Sequence, residues 1–466
     1  MTSDLVLGID SSTQSTKAVL VDAATGEVVD RGAAPHPPGT SVDPEAWLDA
    51  FDHTPDGLLP RASALAVGGQ QHGMVALDAD GRPVRDALLW NDTRSGAAAV
   101  DLIAELGGPQ ACAETVGSVL VASFTSTKLR WLRDHEPEAA ARVREVLLPH
   151  DYVSRHVTGE TFTDRGDASG TGYFSTAGDA WRPDLAEAAL GRAVRLPRIV
   201  APGEVAAKTS TGALVAAGTG DNMAAALGLD VQPGDVVVSI GTSGVASSVS
   251  ATRIADGTGA VTGFADATGR FLPMATTMNA ARILDLQCAL LGVDHLRLAR
   301  LALAAPPGSN GLVLSPYYDG ERTPNRPDAT GTWSGLTSST TREDVARAAF
   351  EALLCSLAEA VDLLVGLTGV PTERVLLVGG AAANPAVQAI APVLLGVPVT
   401  VPVAGEYVAL GSARQAAWAL SGEAAPPTWA PPPSRTVTAE PTPLVREAYA
   451  RLRDRTAEHH STEGIS

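Results

Sequence analysis

Positive charge is scarce in this chain. Its 466 residues hold 34 Lys and Arg against 52 Asp and Glu, for a formal net charge of −18. No cluster of Lys and Arg supplies the basic face that a nucleic acid requires, so that class of partner is not expected. Lysine occurs only at Lys17, Lys128 and Lys208, so a lysine beside a phosphate-type turn stands out. Cysteine is equally rare. Cys112, Cys288 and Cys355 are scattered, with neither a CxxC nor a metal-ligand spacing, which fits a reducing compartment and offers no disulfide framework. No Walker motif occurs, which excludes a P-loop nucleotide site. No apolar run approaches the roughly 18–20 residues of a membrane helix. The start, Met1 to Asp4, passes directly into Leu5-Val6-Leu7-Gly8-Ile9-Asp10 without a basic segment, a longer apolar stretch and a cleavage site, so no leader and a cytoplasmic location are expected.

What is there is a globular composition, 45% hydrophobic and 18% charged, in a chain long enough for two domains of about 200 residues. Residues 5–10 and 17–22 read as strands around the hydroxyl-rich tract Ser11-Ser12-Thr13-Gln14-Ser15-Thr16, with a third strand near Val28. A similar unit recurs at Val236–Ile240, Gly241-Thr242-Ser243-Gly244 and Val245–Val249. Leu65–Gln71 and Leu376–Ala382 are both apolar strands that end in Gly-Gly. One unit of each kind in each half points to a duplicated architecture with a boundary near residue 230. Helices are predicted over Ser126–Glu136, Arg342–Leu367 and Pro385–Leu395, the last with Asn384 as its cap. The Pro-, Ala- and Thr-rich stretch Glu423–Pro441 predicts an irregular tail.

Several segments carry side chains suited to chemistry. The turn Ser12-Thr13 offers hydroxyl and backbone N–H groups to phosphate oxygens, Lys17 a point charge, and Asp10 a carboxylate for Mg²⁺, reached through water. Thr242, between Gly241 and Gly244, offers the same kind of turn in the second half. Either hairpin alone reads equally as an ordinary Ser/Thr-rich turn; two of them, one per half, are far more specific. Asp221, in Gly218-Thr219-Gly220-Asp221-Asn222, is a carboxylate placed to accept a hydroxyl proton, though a helix cap has the same local sequence. Gln71 and His72 bring amide and imidazole groups to a strand end, a donor and acceptor pattern that suits a polyol, though a lone histidine is more often structural. Trp90 adds a flat apolar face beside Asn91, Asp92 and Arg94, a combination that suits a polyol, though a buried tryptophan followed by a turn has the same sequence. Gly379 to Asn384 offers bare backbone on which a nucleotide base and ribose could lie, and reads equally as a plain strand-to-helix turn.

These segments, in this order, resemble the FGGY carbohydrate kinases. Ser123-Phe124-Thr125-Ser126-Thr127-Lys128-Leu129-Arg130-Trp131-Leu132-Arg133-Asp134-His135 is similar to the first long signature of that family. The stretch from Gly331-Thr332-Trp333-Ser334-Gly335-Leu336 through Asp344-Val345 to Glu351 is similar to the second. The likeness runs from about residue 5 to about residue 420. It implies an α/β fold of two actin-like (ribonuclease H-like) lobes with an interlobe active-site cleft. Residues 1–230 would form the sugar-binding lobe and 231–425 the nucleotide-binding lobe, with 426–466 an irregular tail. It implies ATP and Mg²⁺ as cofactors and phosphoryl transfer to a sugar hydroxyl, D-xylulose being the expected acceptor. Ribulose, gluconate and glycerol are the alternatives within the family, and a non-kinase actin-like ATPase the alternative outside it. Carried over by position, Asp221 is the base and Gln71, His72, Trp90 and Asn222 meet the sugar. Ser12, Thr13, Lys17 and Thr242 lie along the phosphates, Asp10 takes the metal, and Gly380 and Asn384 meet the nucleoside. Ser12 departs from the pattern, standing where many relatives have glycine. The segments 43–61 and 250–274 look short, which would remove surface or oligomer contacts. The partners expected are a small-molecule sugar, ATP and a second copy of the chain, with no nucleic acid and no membrane.

Overall fold

The computed structural model describes residues 4–54 and 57–462. Met1 to Ser3, part of the start that argued against a leader, lie outside the described residues. The chain divides into two compact units. The first comprises residues 1–231, 250–272 and 405–431, and the second 232–249, 273–404 and 432–466.

The first unit opens with β1 (Leu5–Ser11), β2 (Ser15–Asp22) and β3 (Val28–Pro35), an antiparallel meander. β4 (Ala64–Gly69) then joins β1 in parallel. The helices α1 (Thr125–His135) and α2 (Pro149–Thr158) follow. β5 (Val205–Lys208) and β6 (Leu214–Ala216) extend the sheet, and β7 (Thr219–Gly220) leads into α3 (Asp221–Gly228). The strand order is β3-β2-β1-β4-β6-β5, with β7 also on β4.

The second unit repeats this plan. β8 (Asp235–Ile240), β9 (Gly244–Ser248) and β10 (Phe271–Thr277) form the meander. After α4 (Arg342–Thr368), β11 (Arg374–Val378) pairs in parallel with β8. α5 (Pro385–Leu395) and β12 (Val399–Pro402) continue. The chain then returns to the first unit as α6 (Tyr407–Ser421), before β13 (Ser434–Val437) and α7 (Pro443–Thr462) close the second. The six strands β10-β9-β8-β11-β12-β13 match six of the seven in the first sheet in order and sense. The duplication read from the hairpins and the Gly-Gly strands is present in the topology.

β1 is buried on both faces, which is why its sequence is apolar without alternation. Leu7 and Ile9 pack with Leu20, Leu65, Val67 and Trp47 on one side. Val6 packs with Val19, Ala64 and Ala66 against Ala409, Ala413, Ala416 and Ala417 of α6 on the other. Gly8 permits that approach, since a Cβ there would fall 1.9 Å from the Ala409 carbonyl oxygen. Small residues on both partners bring the helix close, and dispersion across the tight contact replaces bulky side chains.

α4 starts as its sequence dictates. The Thr341 hydroxyl accepts the Asp344 N–H, and Asp344 accepts the Thr341 N–H, so two orphan donors are satisfied reciprocally. Two sequence expectations need correction. The second lobe is not one continuous block, because residues 250–272 and 405–431 belong to the first unit. The tail after residue 425 is not irregular throughout, because β13 and α7 form there. Val445, Tyr449 and Leu452 of α7 are buried at helical spacing, an apolar stripe masked by the proline-rich stretch before it. Among the described residues, no helix is long and apolar enough to cross a membrane.

Candidate active site

In the first unit three parallel strands end side by side. Asp10 pairs with Gly68, Ser11 with Gly69, Thr219 with Gly68 and Gly220 with Gly69. The residues that follow therefore emerge at one edge: Ser12-Thr13 after β1, Gln70-Gln71-His72 after β4, and Asp221-Asn222 after β7. The carboxyl ends of parallel strands are where α/β sheets gather ligands, because side chains there are held by a rigid frame and not covered by the sheet.

Asp221 does not cap its helix. Gly220 holds the cap position and no side chain caps it; Asp221 is the first residue of α3. Its Oδ1 accepts the Asn222 N–H at 2.8 Å and Asn222 Nδ2 at 3.0 Å. The same Nδ2 donates to Gln71 Oε1 at 2.9 Å. Asn222 thus joins the carboxylate to the Gln71 amide and fixes which way that amide faces. Gln71 is buried, and among the described residues its Nε2 has no partner, a donor whose desolvation is uncompensated. Burial raises the Asp221 carboxyl to about 7; the negative charge of Asp10 adds to the rise and the Asn222 bonds oppose it.

Asp10 is 4% exposed. Burial raises its pKa to about 6, opposed by the Ser12 hydroxyl, which donates to the carboxylate, and by the Lys17 charge. Lys17 stands opposite Asp10 across the hairpin and binds Glu406 Oε2 at 2.7 Å, in a pair that is about two-fifths exposed. The Thr13 hydroxyl accepts Trp90 Nε1–H at 2.9 Å, so the tryptophan is tied to the hydroxyl-rich turn after β1. Trp90 is 45% exposed, a flat face open to solvent. His36 props the turn from behind, with Nδ1 against the Ser12 carbonyl at 2.9 Å and Nε2 against the Thr16 hydroxyl at 2.8 Å.

His72 sits just past β4 with φ of 66°, a left-handed conformation unusual for a residue with a side chain. Its Nδ1 donates to the Gly170 carbonyl at 2.7 Å, and its ring stacks on Phe124 with centroids 5.0 Å apart. Deeper in the unit, His150 lies between Asp151, Asp164 and Asp167 at 3.2, 3.6 and 3.4 Å, all four side chains essentially inaccessible. Burial holds His150 neutral, with a pKa of about 3, and pushes Asp151 and Asp167 well above the carboxylate range. Asp164 accepts the Thr219 hydroxyl at 2.7 Å, which anchors the segment that delivers Asp221.

The second unit has a corresponding edge. β8 and β11 run parallel, with Ser239 opposite Val378, so the turn Gly241–Ser243 and the loop Gly379–Asn384 emerge together. Gly379 has φ of 92°, and a Cβ there would lie 2.7 Å from the Ile240 carbonyl oxygen; only glycine meets both demands. Thr242 is exposed, and a Cβ at Gly380 would meet nothing within 4 Å, so the backbone there is bare. Asn384 Oδ1 accepts the Ala386 and Val387 N–H groups as the cap of α5. Its oxygen is committed to the helix, leaving Nδ2 as the group that could meet a nucleoside.

Asp10, Ser12, Thr13, Lys17, Gln71, His72, Trp90, Asp221 and Asn222 thus share the first unit, and Thr242, Gly380 and Asn384 the second. Sequence reading missed two participants. Glu406 lies 389 residues from Lys17, and nothing local announces the pairing. His36 is a lone histidine with no motif. Among the described residues no group of three His, Cys, Asp or Glu stands ready as a metal cage. Mg²⁺, which one or two carboxylates hold together with water and substrate phosphates, needs no such cage.

Comparison with known proteins follows the same division. Residues 5–232 match the N-terminal domain of the FGGY family of carbohydrate kinases, and residues 236–420 its C-terminal domain. The xylulose kinase of Streptomyces coelicolor is 50% identical over 435 residues, 90% of this chain and 89% of that protein. The xylulose kinase of Streptomyces rubiginosus is 48% identical over the same length and coverage. The crystal structure of xylulose kinase from Bifidobacterium adolescentis superposes with a TM-score of 0.93 at 46% identity, covering 97% of this chain and all of that one.

Proposed function

The chain belongs to the FGGY family of carbohydrate kinases, and on that premise we propose that it transfers the γ-phosphoryl group of MgATP to D-xylulose, giving D-xylulose 5-phosphate, with Asp221 as the general base. The observation that carries the reading is the Asp221–Asn222–Gln71 chain of hydrogen bonds, ending in a buried amide donor without a partner. A polyol hydroxyl supplies the acceptor that Gln71 Nε2 lacks and places a second hydroxyl by Asp221. Both Asn222 bonds fall on Oδ1, which leaves Oδ2 to accept the proton of the attacking hydroxyl. A base with a pKa of about 7 is matched to neutral operation, since about half of it is ionised there and it is still basic enough to help.

His72 and Trp90 complete the sugar site, the imidazole as a polar contact and the indole as a face for C–H groups. Ser12, Thr13, Lys17 and Thr242 attend the phosphates with hydroxyl, backbone and ammonium groups, and Gly380 and Asn384 the nucleoside. Asp10 would hold Mg²⁺ through water: its carboxylate carries a burial cost that a divalent cation relieves. The ion, when bound, neutralises charge on the phosphates. The remaining rate comes from holding the hydroxyl and the phosphoryl group in line. The reading includes a cytoplasmic enzyme that associates as a homodimer, which sedimentation at working concentration tests.

The test is an ADP-release assay with D-xylulose against ribulose, gluconate, glycerol and fuculose. Turnover with D-xylulose should exceed each alternative at least tenfold in kcat/KM. Preference for another acceptor would reject the sugar, and ADP release independent of any sugar would reject the kinase.

A further inference from the structure

Lys128 is wholly inaccessible to solvent in a chain with only three lysines. A buried ammonium is costly unless it is paired and hydrogen-bonded, yet among the described residues no carboxylate lies within salt-bridge distance of it. Its bonds go to two main-chain carbonyls, His72 at 2.8 Å and Ser123. Asp92 and Asp167 support its charge from further off, and burial lowers its pKa to about 7. A methionine or leucine would fill the same volume without that cost, so the position calls for a reason.

The reason lies in what the His72 carbonyl belongs to. His72 is left-handed, at φ of 66°, a conformation its Cβ disfavours and which its surroundings must impose. The first turn of α1 does so from several sides. Lys128 Nζ and the Thr125 hydroxyl, the latter at 3.2 Å, both donate to the His72 carbonyl, and Phe124, the residue before α1, stacks on the imidazole. The Gly170 carbonyl takes the Nδ1 proton, which fixes the tautomer and turns Nε2 away from that anchor.

We propose that Lys128 is a positioning residue for the sugar: by binding the His72 and Ser123 carbonyls, its ammonium holds His72 in the strained backbone conformation that presents the imidazole to the acceptor. The inference rests on the reading of His72 as a sugar contact. Lys128 touches neither substrate. It acts through another residue, and its removal is felt on the sugar and not on ATP.

Kinetics of Lys128→Met, His72→Ala and the double variant test this, with D-xylulose and ATP varied separately and thermal melts as control. Lys128→Met should raise the KM for D-xylulose about tenfold or more while the KM for ATP stays within about twofold. In the His72→Ala background, Lys128→Met should add less than about twofold, because the contact it organises is already gone. Thr125→Val, which removes the other donor to the same carbonyl, should shift the sugar KM in the same direction and serves if Lys128→Met does not fold. If His72→Ala raises the sugar KM but Lys128→Met multiplies it by the same factor in both backgrounds, the positioning role is wrong and the sugar site stands. If His72→Ala leaves the sugar KM unchanged, the site reading fails and the inference with it.

Discussion

Gly170→Ala should damage sugar binding through a residue that the substitution never replaces. A Cβ at Gly170 would lie 2.5 Å from His72 Nδ1 and 2.6 Å from its Cε1, closer than real Cβ contacts allow. The ring has little room to retreat, with Phe124 at 5.0 Å and Phe264 at 5.6 Å between centroids. The imidazole must therefore move off the Gly170 carbonyl, losing a 2.7 Å hydrogen bond worth about 0.5–1.5 kcal/mol. Local overpacking adds about 1–3 kcal/mol. Together these predict a loss of about 2–4 kcal/mol in stability, or roughly 5–15 °C in Tm for a unit of this size. If the displaced ring forfeits one sugar contact of about 1–2 kcal/mol, the KM for D-xylulose rises roughly 5- to 30-fold. Initial-rate kinetics well below the melting range, with the ATP KM as internal control, separate the two effects. A lowered Tm with an unchanged sugar KM would refute the placement of His72 at the sugar.

The remaining predictions concern pH and two glycines. Asp221 must be ionised to act, and its pKa is raised from 3.8 to about 7, so activity should fall as pH drops through 7, with kcat/KM at pH 6 about a tenth of its plateau. A pH profile flat from 5 to 8 would contradict this. The same shift makes the folded chain bind that proton more tightly than the unfolded one, so this group's contribution to stability declines as pH rises from about 4 to 7, and Asp221→Asn should melt above the parent at pH 8. Gly8→Ala, whose Cβ would meet the Ala409 carbonyl oxygen at 1.9 Å and the Ala413 nitrogen at 2.4 Å, forces backbone against backbone and should cost about 3 kcal/mol or more, read by chemical denaturation. Gly380→Ala meets open space and should leave the melt within about 0.5 kcal/mol, while raising the KM for ATP if the bare backbone there receives the nucleoside.

The parts of the fold legible in sequence were those dictated locally. The meander at residues 5–35, the Gly-Gly strand ends and the capped helices α4 and α5 each depend on neighbours a few residues away, and α5 begins and ends where Asn384-Pro385 and Gly396 require. What was not legible depends on long-range packing. α6 belongs to the first unit because Ala409, Ala413 and Ala416 meet the sheet that carries Gly8, and an alanine-rich helix announces no partner in its own sequence. The candidate site divides likewise. Asp10, Gln71, His72 and Asp221 stand at strand ends, which the apolar runs before them mark. The Lys17–Glu406 pair, the bond from Trp90 to Thr13 and the grip of Lys128 on His72 span 389, 77 and 56 residues, beyond the reach of any local pattern.

The central claim is that Asp221 accepts the proton of the attacking hydroxyl, and Asp221→Asn tests it most directly. Asparagine keeps the size of the side chain and an oxygen for the two Asn222 donors, so the site's geometry is retained while the base is lost. The account predicts that kcat with D-xylulose falls about 10²–10⁴-fold while the sugar's Kd, read by calorimetry, changes only a few-fold. Near-parental turnover in that variant would contradict it.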